Sequence, residues 1–195
     1  MKKSTMNNHI NTLYLDCIKA EEIFKEGDIG FGGRTYVRSV AALIEADIHI
    51  QRIELAEIIA ARSNLTGRWN FHLMSLLMDS APRINERGKI TLRRQEHTII
   101  DLCKFVFKSF VELYGEPLNV FEGTGWDDFR KLIKVRNRIT HPKVDEDTSI
   151  SSNDINTAKS VLTWYLDSFK EVNRIRKEFN SFPRGENELT IPWLD

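Results

Sequence analysis

Apolar residues recur every three or four positions along most of the chain, the spacing that lines one face of an α-helix. Ile10, Leu13, Cys17, Ala20 and Phe24 form such a face between about Asn8 and Lys25. The glycines from Gly27 to Gly33 then predict an inter-helix turn. Their spacing fits neither a phosphate loop nor a dinucleotide fingerprint. A long helix is expected from about Arg34 to Ala61, with Val37, Val40, Ile44 and Ile48 as its stripe. Residues 63–92 have no steady period and are expected to form an irregular insertion, with a short amphipathic helix over Arg68–Met78. Another long helix is expected from about Arg93 to Tyr114. Its many apolar positions, Ile99 to Val111, imply burial on more than one side, as at a bundle centre or a dimer seam. Gly115 and Pro117 close it.

Thr124 offers an N-cap for the next helix, and Pro142 ends that helix by disfavouring helical angles at His141. The last helix, about Asp154 to Phe179, places Ile155, Ala158, Val161, Leu162, Tyr165 and Phe169 on one side. Residues 180–195 read as a C-terminal tail, either an arm docking on the domain or a second subunit, or a frayed end. No strand pattern or internal repeat stands out. The expected fold is all-α: a single domain over residues 1–195, built as an antiparallel bundle of about five helices.

Two polar exceptions stand out against this pattern. Between Phe129 and Ile139, at about 100° per residue, Phe129, Leu132, Ile133, Val135 and Ile139 share an apolar arc. Arg136 falls inside it. A guanidinium there is costly unless it is paired or lines a cavity. Asn137 and His141, four apart, share an edge of the same helix. Arginine, amide and imidazole gathered at one helix end suit a phosphodiester. The alternative is an arginine reaching solvent, a surface amide and a helix-end histidine. In the earlier long helix, Arg38, Glu45, His49 and Arg52 align as a polar row. Such a row is either a solvated, salt-bridged face or the wall of a polar cleft in which Glu45 would matter most.

Lys+Arg 28 balances Asp+Glu 28 over 195 residues, so nucleic-acid binding would have to rest on local patches. The densest basic run is Arg83, Arg87, Lys89, Arg93 and Arg94, either a solvated loop or a patch for phosphate backbone. Cys17 and Cys103 lie in apolar helical contexts and read as core thiols in a reducing compartment. The N-terminus lacks an apolar signal segment, and charges interrupt the longest apolar stretch, so no membrane association and a cytoplasmic location are expected. No histidine, cysteine or carboxylate cluster has metal-ligand spacing, and no cofactor motif is present.

Arg136-Asn137-Arg138-Ile139-Thr140-His141, late in an all-helical chain and followed by another long helix, resembles the HEPN (higher eukaryotes and prokaryotes nucleotide-binding) superfamily. The ribonuclease members of that family carry Arg-x(4–6)-His, often with Asn after the Arg. The resemblance implies a HEPN-like bundle over roughly residues 8–179. It also implies a homodimer with facing motifs, an RNA substrate, cleavage without metal or cofactor, and a role in toxin–antitoxin or anti-phage defence. An antitoxin or other regulatory protein would then be a partner. Residue by residue, Arg136 would hold the scissile phosphate, and Asn137 would orient the histidine or a phosphate oxygen. His141 would act as general acid or base. Glu45 is the candidate for a supporting residue on an earlier helix. Arg138, Lys143, Arg83 and Arg87 are candidates for contacts to the RNA backbone. A branch paired with nucleotidyltransferases has tyrosine where this chain has Lys143. The family also contains non-catalytic modules that bind a nucleotide or a protein partner, and these form the alternative reading.

Overall fold

A computed structural model describes residues 3–61, 75–115 and 117–181. Five long helices make up most of it: α1 (Lys3–Lys25), α2 (Ile29–Ala61), α3 (Ile99–Tyr114), α4 (Thr124–Thr140) and α5 (Ser152–Ser181). Short 3-10 turns, Asn119–Phe121 and Asp145–Thr148, flank α4. The all-α bundle expected from the periodicity is the fold observed. Most of the helix expected over Arg68–Met78, and the tail beyond Ser181, lie outside the described residues.

α2 is the central element, touching α1, α3, α4 and α5. Its stripe Val37, Val40, Ile44 and Ile48 is fully buried, as the spacing required. Of the two settings expected for α3, bundle centre or dimer seam, the first is held by α2. On α3, Cys103, Val106, Phe107 and Phe110 are buried, while Asp101, Lys104, Lys108 and Glu112 stay exposed. One broad face suffices there because aromatic rings fill it. Phe107 meets Phe121 and Tyr165 edge to face at 6.2 and 6.5 Å.

The helix directions follow from their contacts. α4 runs against α5, with Gly125 and Phe129 beside Trp164 and Arg138 beside Asp154. α5 runs alongside α2 in the same sense: Ile155 lies by Gly33, Tyr165 by Asp47 and Arg176 by Gln51. The bundle is thus not purely antiparallel. A loop from Pro142 to Ser151 and the 3-10 turn within it return the chain to the starting end of α2.

Three boundaries differ from expectation. α2 begins at Ile29, so only Gly27 (φ +110°) lies in the turn, while Gly30, Gly32 and Gly33 are helical. Close packing explains two of them. A Cβ on Gly32 would lie 2.6 Å from the Phe24 backbone nitrogen, and one on Gly33 would lie 2.9 Å from Ile150. The N-cap of α4 is Gly123, not Thr124, and makes no side-chain capping bond.

The third difference is a β-hairpin inside the stretch expected to be irregular. β1 (Ser80–Ile84) pairs antiparallel with β2 (Ile90–Arg94), so Arg93 and Arg94 belong to a strand and not to α3. The chain turns through Glu86, Arg87 and Gly88. Asn85 N–H donates to the Lys89 carbonyl at 2.9 Å, and Gly88 takes the left-handed conformation (φ +70°). This is the three-residue hairpin loop in which glycine supplies the positive φ. The Asn85 side-chain oxygen accepts from Arg87 and Lys89 N–H, each at 3.0 Å.

Candidate functional site

α4 ends where its sequence requires. His141 leaves helical angles (φ −126°, ψ 60°), and its N–H still donates to the Asn137 carbonyl at 3.0 Å. The next residue, Pro142, has no N–H with which to continue the ladder. The His141 side chain is exposed.

Arg136 sits at the edge of the buried arc, with its side chain 24% exposed. Both arms of its guanidinium are engaged. Nη2 pairs with Glu45 Oε1 on α2, and Nη1 donates to Asn137 Oδ1 at 2.9 Å. The guanidinium is therefore held in one orientation from two sides, which a lysine cannot reproduce. Burial lowers its pKa, although an arginine stays charged at neutral pH. Members of the polar row on α2 pair with charges and dipoles of other elements as well as with one another. Arg38 Nη2 donates to the Ile139 carbonyl at 2.5 Å, placing a cation at the C-terminus of α4. His49 Nδ1 lies 2.9 Å from Arg52 Nη2, and Arg52 pairs with Asp79 just before the hairpin. Partial burial, and then the neighbouring Arg52, lower the His49 pKa, which favours the neutral ring at pH 7.

Glu45 also lines a groove of about 520 Å³ between α1 and α2, together with His9, Leu13, Ala42, Ala46, His49 and Ile50. The arginine pair therefore borders a concave surface carrying two imidazoles. Among the described residues, no group of three or more His, Cys, Asp or Glu is placed to hold a metal ion.

The loop after His141 is held firmly. Arg138 Nη1 donates to the Asp147 and Ser149 carbonyls at 3.1 and 2.7 Å, and Nη2 reaches Asp154 Oδ2 at 3.2 Å. Asp147 Oδ2 accepts the Lys143 and Val144 N–H groups at 2.8 and 3.3 Å. These backbone bonds, led by the one from Lys143, lower the Asp147 pKa. Ser151 and Asp154 cap α5 reciprocally, with Asp154 N–H on Ser151 Oγ and Ser151 N–H on Asp154 Oδ2.

The eight candidate residues thus separate into groups. Glu45, Arg136 and Asn137 form one continuous set of contacts, and His141 adjoins it through its backbone. Arg138 is a structural tie for the loop, and the Lys143 side chain is exposed beside it. Arg83 and Arg87 lie on the hairpin, which attaches at Arg52, two helical turns or about 10 Å past Glu45. His141 lies in the opposite direction along α2, near Arg38. The hairpin arginines and the histidine therefore do not share one patch. Reading residues one element at a time missed the contact of Arg38 with α4, although its place in the α2 row was the available signal. Comparison with protein-family models, with curated proteins and with solved structures finds no match to this chain.

Proposed function

We propose that the chain is a metal-independent endoribonuclease of the HEPN type, working as a homodimer in toxin–antitoxin or anti-phage defence. The observation that supports this most is the Glu45–Arg136–Asn137 set at the end of α4, with an exposed His141 one helical turn beyond Asn137. A guanidinium fixed on two sides is preorganised for a phosphate oxygen, and its remaining donors keep their direction when substrate arrives. His141 then takes the proton from the attacking ribose 2′-hydroxyl, or gives one to the departing 5′-oxygen. The nucleophile belongs to the substrate, so the step needs positioning, charge stabilisation and proton transfer. The products are a 2′,3′-cyclic phosphate and a 5′-hydroxyl.

The test compares wild type with His141→Ala on total or transfer RNA in EDTA, with fragment ends analysed and dimers checked in the same samples. Fragments with 2′,3′-cyclic phosphate ends from wild type only are expected. Unchanged cleavage by His141→Ala would remove the histidine from the mechanism. Intact RNA in both lanes favours the second reading, a non-catalytic module binding a nucleotide or a protein partner. One feature favours that reading: Arg136 already spends both arms on Glu45 and Asn137.

A further inference from the structure

Strand pairing gives the hairpin two unlike faces. Paired residues share a side and neighbours alternate, so Pro82, Ile84, Ile90 and Leu92, with Ser80 and Arg94 at the open end, lie on one face and Ala81, Arg83, Thr91 and Arg93 on the other. The first face is uncovered: Ile84, Ile90 and Leu92 are 71%, 76% and 71% exposed. An isolated two-stranded ribbon is marginal in water, and its edges offer unpaired backbone groups.

We propose that residues 186–193 of this same chain dock on the hairpin as a third strand along β2. Position favours it first. The hairpin is anchored to α2 by Asp79 on Arg52, and α5 approaches its end with Arg176 on Gln51 and Glu54 of the same stretch of α2. Both segments therefore leave the bundle at one end, and five extended residues beyond Ser181 span up to about 17 Å.

The sequence pattern agrees. In Glu186-Asn187-Glu188-Leu189-Thr190-Ile191-Pro192-Trp193, an extended backbone places Leu189, Ile191 and Trp193 on one side and Glu186, Glu188 and Thr190 on the other. The parity is restrictive. Laying Leu189 and Ile191 beside Ile84, Ile90 and Leu92 puts Glu188 on the face of Arg93 and Arg83. Charge matches as well: Ser80–Arg94 carries Arg83, Arg87, Lys89, Arg93 and Arg94 against Glu86 alone, whereas the tail carries Glu186, Glu188 and Asp195 against Arg184. β2 takes the strand because β1 contains Pro82, which has no N–H to donate.

Amide hydrogen exchange on the full chain tests this at Ile90–Arg94. Wild type should exchange there at least about tenfold more slowly than a Leu189→Asp/Ile191→Asp variant, with α2 and α5 amides equal in both as the control for folding. Equal rates at Ile90–Arg94 overturn the proposal. Glu188→Arg should speed exchange at β2, and adding Arg93→Glu should slow it again. A double variant that stays fast overturns the facing of these two residues. Tenfold dilution should leave the protection unchanged; protection lost on dilution overturns docking within one chain in favour of a second copy.

Discussion

At the scale of single residues, the Arg136–Glu45 pair lies between two regimes. Exposed ion pairs contribute about 0–1 kcal/mol, whereas removing one partner of a buried pair costs about 3–5 kcal/mol. With side chains 24% and 35% exposed, this pair falls between them. Arg136→Ala and Glu45→Ala should each cost about 1–3 kcal/mol by urea denaturation, and the double variant less than their sum by at least about 0.5 kcal/mol. Full additivity would show that the two side chains do not support each other. Arg136→Lys should recover part of the stability but not the bond to Asn137, because an ammonium lacks the planar fork. His141→Ala should change stability by no more than about 0.5 kcal/mol, since its side chain is exposed. The sequence exposed the anomaly of an arginine in an apolar arc. It did not say which of two remedies was used, partner or cavity, since Glu45 lies 91 positions away along the chain.

Among elements, the start of α2 separates two roles for glycine. Gly30 has room: a Cβ there would meet nothing closer than 3.7 Å. Gly30→Ala should therefore stabilise the protein by about 0.5–1 kcal/mol through helix propensity and a less flexible unfolded chain. Gly32→Ala should destabilise it by more than about 2 kcal/mol, because the new methyl meets the α1 backbone and the two helices must separate. Thermal denaturation of the two variants checks the contrast, and equal shifts would show that the close approach is not essential. Read along the chain, this cluster looks like a turn because glycine is common in turns. The packing of α1 on α2 is what makes it helical. The hairpin was missed for a related reason. Five-residue strands, one broken by Pro82 and the other ending in the adjacent pair Arg93-Arg94, give little hydrophobic contrast, although Asn85-x-x-Gly88 between two isoleucines was a usable turn signal.

For the molecule as a whole, the distinctive polar feature is a charge at the junction of α2 and α5. Asp47 is 4% exposed and accepts from Tyr165 Oη at 2.6 Å and more weakly from Gln51 Nε2 at 3.4 Å. Burial raises its pKa above the ordinary 3.8 despite those donors. Between 3.8 and the raised value the native state holds more protons than the unfolded state, so this group's contribution to stability falls as pH rises through that window. At neutral pH the desolvation cost of the carboxylate is fully present. Asp47→Asn should therefore be more stable than wild type at pH 7, with the advantage shrinking as the pH is lowered towards 4. A difference that stays constant across that range would mean the carboxyl does not titrate differently on folding. Glu21, Asp128 and Asp147, whose pKa values are lowered by hydrogen bonds, act in the opposite sense and cancel in the comparison.

By itself the sequence determined the periodic bodies of the helices, most of their buried faces and the C-terminal ends of α3 and α4. Each is set by local periodicity, by Gly115 and by Pro142. It also singled out Arg136, Asn137 and His141, because a polar residue breaking an apolar stripe is visible within one helix. Only the tertiary structure decided that α2 is the centre, that α5 runs parallel to it, and that Glu45 and Arg38 meet α4. It likewise showed Arg138 tying the following loop. Those outcomes depend on which faces meet across long separations in the chain, and no local pattern encodes them.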